Sequence, residues 1–221
     1  MMIPVLSAIL GSIFLALIVT GGCALLRAWK PEEFDDSVIP ALPWKNRTLL
    51  VSLCLCIVCY AASYLLHGKD VPTAVLDVIF AAGMVLLAHI DLKKHIVPNK
   101  ILLVLLAVWV TAATLGILFD TAAGVGRVFS ALGGALMAGC MFFLCYLISG
   151  RQLGGGDVKL SVIMGLYLTG ERVMGAVTYG VILCCVYSVV MLIRKKVTVK
   201  DGIPLVPFLY LGTVLTFVIV G

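Results

Sequence analysis

Eight apolar runs, near residues 3–26, 49–66, 73–90, 101–119, 128–149, 158–168, 173–193 and 204–220, leave this chain little room to fold in water. Most reach the roughly 17–25 residues that carry a helix across the hydrocarbon core of a bilayer. Of the 221 residues, 62% are hydrophobic and 12% are charged. A soluble domain carries about 25% charged residues, and one water-soluble core of this size cannot hide such an apolar surplus. The same arithmetic excludes disordered, collagen-like, coiled-coil and disulfide-scaffold chains. The expected class is an all-α polytopic membrane protein with about eight transmembrane helices. The first run lacks a basic leading region and is long for a signal sequence, so it reads as a retained helix.

Sixteen Lys and Arg against eleven Asp and Glu give a net charge of +5. The basic residues sit between apolar runs and not in a stripe with aromatics, so they set membrane orientation and point away from nucleic acid. Suppose all eight runs cross, with the N-terminus outside. Inner loops then hold Arg27, Lys30, Lys45, Arg47, Lys93, Lys94, Lys100, Arg151, Lys159, Arg194, Lys195, Lys196 and Lys200, whereas outer loops hold Lys69, Arg127 and Arg172. Were the sixth run not to cross, the four basic residues after Ile193 would move outside. The positive-inside rule therefore favours eight crossings with both termini outside. The sixth helix is then short, set where the bilayer is thinned or water-filled.

All eight cysteines, Cys23, Cys54, Cys56, Cys59, Cys140, Cys145, Cys184 and Cys185, lie within or at the ends of apolar runs, where cysteine packs as a small hydrophobe. Cys56 and Cys59 form a CxxC, but a structural zinc site usually needs a second pair in a polar loop. Neither a metal nor a cofactor is expected. The polar stretch from Arg27 to Arg47 is interrupted by Pro31, Pro40 and Pro43, so it is not one continuous helix. Its cluster Glu32, Glu33, Asp35 and Asp36 reads as a solvated face, with attraction of a basic partner as the alternative.

Charged side chains at membrane depth are costly and are functional candidates by default. Asp77, Asp91 and Asp157 qualify. Asp77 and Asp91 are 14 residues apart on one run, about 21 Å of helix, too far to share a water. Asp91 closes the third run in Ala88-His89-Ile90-Asp91-Leu92-Lys93-Lys94-His95-Ile96-Val97-Pro98-Asn99. Asp157 follows three glycines in Gly154-Gly155-Gly156-Asp157-Val158-Lys159-Leu160. The topology puts both at the cytoplasmic face, where they can meet if the third and sixth helices are neighbours. Two facing carboxylates in a partly dry site cannot both ionise easily, which supplies a general base and a general acid. Such a pair hydrolyses a peptide bond without a nucleophilic side chain.

Three successive glycines disfavour helix and permit backbone geometries closed to other residues, so unwound backbone is expected there, with Asp157 near a helix start. A flexible loop carrying a solvated Asp is the alternative. The phosphate-binding pattern G-x-x-x-x-G-K-[ST] is absent. His95 could join Asp91 at a metal if the helix continued, but Pro98 so close behind favours an interfacial loop. Lys159 either holds Asp157 ionised or anchors its helix at the headgroups. Asp77 reads as a capping or packing group near the outer interface, with assistance to substrate binding as the alternative.

These strings resemble the signatures of the type IV prepilin peptidases, membrane aspartyl proteases of the GxGD class. The first is similar to an Asp followed by a basic turn and Ile-Pro-Asn, with Val97 in place of the usual Ile before Pro98 and Asn99. The second matches Gly-x-Gly-Asp-x-Lys-Leu from Gly154 to Leu160. A weaker third, Ile203-Pro204-Leu205-Val206-Pro207-Phe208-Leu209, is similar to the family's entry to its last helix, with Val206 for the usual glycine. The resemblance covers roughly residues 71–221 and implies a six-helix peptidase core, preceded by two helices and a cytoplasmic loop in 1–70. It implies that Asp91 and Asp157 are the catalytic pair, supported by Gly154, Gly156, Lys159, Pro98 and Asn99. The implied substrate is a prepilin or pseudopilin leader with a basic stretch, cut at the cytoplasmic surface of a prokaryotic inner membrane, with membrane lipid around the enzyme. Full-length members carry paired CxxC motifs in a cytoplasmic loop and also methylate the new N-terminus. The loop from Arg27 to Arg47 has no cysteine, so methylation is not expected. The competing classes are a small ion-coupled transporter or channel using the intramembrane aspartates, and a non-catalytic pilus or secretion assembly subunit.

The charge distribution makes the orientation testable. Reporter fusions at Gly68 and Lys200 should report outside and inside respectively, and both on one side would overturn the eight-span topology.

Overall fold

The computed structural model describes residues 2–29, 47, 50–55, 57–58, 61, 71–149, 153–195 and 202–220. The acidic cluster, Cys56 and Cys59, Arg151, Lys196, Lys200 and half of the second apolar run lie outside the described residues. Six helices follow one another: α1 (Met2–Trp29), α2 (Val71–Lys94), α3 (Asn99–Phe119), α4 (Thr121–Ile148), α5 (Gly155–Ile193) and α6 (Val206–Ile219). Residues 50–55 are helical too, and the described residues include no strand. Thr73–Lys94, Asn99–Phe119, Thr121–Ile148 and Gly155–Ile193 are long and apolar enough to cross a membrane, and Ile13–Ala28 and Val206–Ile219 are shorter apolar helices. The chain is an all-α polytopic membrane protein.

Two apolar runs share α5, which breaks at Thr169, where φ is 60° and ψ is −170°. A left-handed φ is strained for a β-branched residue, so the break is a true corner. Residues 155–168 make about 21 Å of helix, less than the roughly 30 Å of a hydrocarbon core, whereas residues 170–193 make about 36 Å. The glycine-rich start of α5 corrects an expectation. Helix begins at Gly155 and takes in Gly156, leaving only Leu153 and Gly154 of this stretch outside it. In a first turn the N–H groups lack intrahelical partners whatever the residue, so glycine there costs less than in a helix interior.

The described residues form two compact units, Met1–His95 with Ala176–Gly221, and Ile96–Gly175. In the second, a single residue, Asp120, separates α3 from α4. Its carboxylate accepts from the Ala123 N–H at 3.1 Å, an N-cap, while its own N–H bonds the Gly116 carbonyl at 3.1 Å. The buried residues of α4 include Ala131, Ala135, Ala138 and Phe142, spaced along one stripe with Gly134 and Gly139 beside it. In lipid, small residues let helix backbones approach, since burial of apolar surface drives no association there. A Cβ on Gly134 would lie 2.7 Å from the Gly165 carbonyl oxygen, and one on Gly165 would strike the Ala135 and Gly134 backbone. Trp109 packs against Ala131, Ala135 and Leu166. Tyr167 donates from its hydroxyl to the Leu105 carbonyl at 2.7 Å, a type of bond worth about 0.6 kcal/mol on average in a membrane protein.

In the first unit α2 packs against α1 and α6. Of the α2 span, 78% is buried, against 17–28% for the other three long spans, so α2 is where polar side chains escape lipid. It holds the buried Asp77, His89 and Asp91. The 176–180 stretch of α5 crosses α6 closely. A Cβ on Gly180 would lie 2.9 Å from the Phe208 carbonyl oxygen, and one on Gly212 would strike the Ala176 carbonyl.

Both crossings are therefore sensitive to volume. Gly165→Leu and Gly212→Leu should each destabilise the detergent-purified protein by about 1–3 kcal/mol, read as a fall in unfolding temperature. Gly133→Ala, which points into open space, should leave it nearly unchanged.

Candidate active site

Asp91 lies in the last turn of α2 and is buried. At that end its own helix presents carbonyls without partners and no donors. The donor comes from α6. Asp91 Oδ2 accepts the backbone N–H of Val206, the first residue of α6, at 3.1 Å. The first and third sequence strings thus meet through one hydrogen bond between residues 115 positions apart. The positive end of the α6 dipole faces the carboxylate.

The chain then leaves α2 abruptly. His95 is left-handed, with φ 52°, and its N–H bonds the Asp91 carbonyl at 2.8 Å. The helix does not continue past it, and its side chain is exposed. Lys93 and Lys94 occupy the last turn, at the negative end of the α2 dipole. Pro98 is the N-cap of α3, with φ −66° and ψ 118°, and its carbonyl accepts the Ile101 N–H at 3.2 Å.

Asp157 sits in the first turn of α5, half-buried, with its N–H bonded to the Gly154 carbonyl at 3.0 Å. A carboxylate there complements the helix dipole. Its Oδ2 lies 3.0 Å from where a Cβ on Gly154 would stand, so a side chain at 154 would crowd it. Gly156 needs to be glycine for space, not for an unusual φ: its Cβ would come within 2.8 Å of the Val97 Cβ. Lys159 Nζ donates to Asn99 Oδ1 at 3.1 Å, a role that neither sequence reading of this lysine had named. Residues 97–99 and 154–159 therefore pack together within the second unit. Asp91 belongs to the first unit and Asp157 to the second.

The model of the type IV leader peptidase family matches residues 78–189, just over half of the chain. The chain belongs to that family. It is also 25% identical, over 141 residues, to the prepilin leader peptidase/N-methyltransferase of Bacillus subtilis (strain 168). That alignment covers 63% of this chain and 54% of the relative, so the chain spans about half the length of the curated leader peptidase it matches. No solved structure matches it. The family match contains both aspartate strings and stops short of the third string, at 203–209. Val206 escapes sequence reasoning because it acts through its backbone N–H. The one available signal was the proline-bearing entry to α6.

The packing around Gly156 separates it from its neighbour. Gly156→Ala should lower the unfolding temperature through contact with Val97, whereas Gly155→Ala, with nothing within 4 Å of its Cβ, should be close to neutral. Equal effects of the two substitutions would overturn the packing argument.

Proposed function

We propose that this leader peptidase family member is a membrane aspartyl endopeptidase that removes the leader of prepilin-like substrates at the cytoplasmic surface of the inner membrane. The observation that carries the reading is the placement of Asp157 in the first turn of α5. The second string is thereby held against the residues that end the first, through Lys159, Asn99, Gly156 and Val97. Asp91, buried on the most enclosed span, is its proposed partner. Residues 71–221 form the proposed peptidase core, and residues 1–70 are an addition to it.

In this mechanism one aspartate is ionised and the other protonated. The carboxylate takes a proton from water while the water oxygen bonds to the scissile carbonyl carbon. The tetrahedral intermediate then expels the amine as the carbon–nitrogen bond breaks, and the carboxylic acid delivers its proton to that nitrogen. The products are a free leader carboxylate and a new pilin N-terminus. We propose that the chain leaves this N-terminus unmethylated, because the loop from Arg27 to Arg47 lacks cysteine.

The test is incubation of the purified protein with a leader-bearing prepilin, followed by mass measurement of the products. Asp91→Asn and Asp157→Asn should each reduce cleavage to background while the protein stays folded, and the double variant should be little worse than either. Asp77→Asn should keep most activity, since about 21 Å of helix separates it from Asp91. Normal cleavage by Asp157→Asn would end the aspartyl-protease reading.

A further inference from the structure

Helix α6 begins at Val206, with Leu205 as N-cap and Pro207 in its second position. The first N–H groups of any helix lack intrahelical partners and must be met from outside. Here Phe208 and Leu209 both donate to the Leu205 carbonyl, at 3.0 and 3.1 Å, and Pro207 has no N–H. The Val206 N–H is the donor left over in this turn, and it is aimed at Asp91 Oδ2. Val206 is fully buried and Asp91 is 5% exposed, so water is a poor substitute for either partner.

We propose that Val206 is a positioning residue: its backbone N–H pins Asp91 by Oδ2 and leaves Oδ1 to exchange the proton of the reaction. This rests on the peptidase reading above. An aspartate side chain turns about two bonds, and one anchored oxygen removes most of that freedom before substrate arrives. Preorganisation of this kind preserves the alignment on which the proton transfer depends. Proline at 207 sharpens the device, because it removes the neighbouring N–H that could compete for the same carboxylate. Val206 reaches Asp91 through its main chain, so several side chains at 206 are compatible with the contact, provided the residue is not proline.

The experiment removes the N–H and keeps the side chain, while the Leu205 carbonyl becomes an ester carbonyl, a weaker acceptor for Phe208 and Leu209, whose loss is read in the unfolding temperature. The full chain is prepared with the valine at 206 replaced by its α-hydroxy analogue, which turns one amide into an ester, and prepilin cleavage is measured in detergent or nanodiscs. A hydrogen bond to a carboxylate predicts a fall in kcat of about tenfold to a hundredfold, with KM within about twofold. The conservative Val206→Ile, which keeps the N–H, should recover most of the cleavage. An ester variant with unimpaired kcat, or one impaired only through KM or unfolding temperature, would overturn the positioning role. A second measurement needs no activity. With 15N-valine labelling, Asp91→Ala should shift the Val206 amide resonance and Asp77→Asn should not; an unmoved resonance in Asp91→Ala would also overturn it. A native chain that leaves prepilin uncut sinks the peptidase reading and this role with it. Native cutting with an unimpaired ester sinks this role alone.

Discussion

A carboxyl group buried in an apolar helix must find hydrogen-bond donors inside the protein, and Asp91 places that demand at the least helpful end of α2. The last turn of a helix offers carbonyls, and its dipole is negative there. The donor has to arrive from another element, and α6 supplies it by starting where it does, with Val206 N–H on Asp91 Oδ2. The packing of α2 on α6 follows from this requirement as much as from shape. So does the heavy burial of α2, which carries Asp77, His89 and Asp91 away from lipid together.

Close packing of this kind depends on small residues. Lipid is as apolar as leucine, so hydrophobicity does not choose which face of a helix turns inward. Leu103, Leu118, Phe129 and Leu136 are exposed, while Ala131, Ala135 and Ala138 are buried. Alanine and glycine on α4, and Ala176, Gly180 and Gly212 at the other crossing, allow backbones to touch. The hydrogen bond from Tyr167 to the Leu105 carbonyl adds a specific polar tie where no water competes.

What could be read from the sequence follows from the same physics. The apolar helices were legible because a long apolar run is a strong signal: seven of the eight runs fall largely within described helices, two of them in α5. Inward faces were poorly legible, because a helix apolar on every side carries no amphipathic period. The corner in α5 was not legible as to residue: glycine is the usual occupant of a left-handed turn, yet Thr169 takes it. The glycine run suggested unwound backbone, but Gly155 and Gly156 are helical, and Gly156 is needed for contact with Val97. The ends of the first and second strings pack together, and the Lys159–Asn99 bond gives part of the second string a physical purpose. Val206 could not be found by residue type, since an N–H is common to every residue but proline.

The register of the Gly154–Leu160 string has its own logic. Gly156 and Lys159 are three residues apart, so they lie on one face of α5, and both meet the 97–99 segment. Asp157 follows Gly156 by one residue, which turns it about 100° around the helix. The face that packs on residues 97–99 therefore excludes the carboxylate, and Asp157 stays half-buried beside that contact. Moving the aspartate to position 156 would set it against Val97, and moving the lysine to 160 would carry it away from Asn99. The fixed spacing of glycine, aspartate and lysine is thus a packing solution: one face fastens the turn, and the next presents the acid.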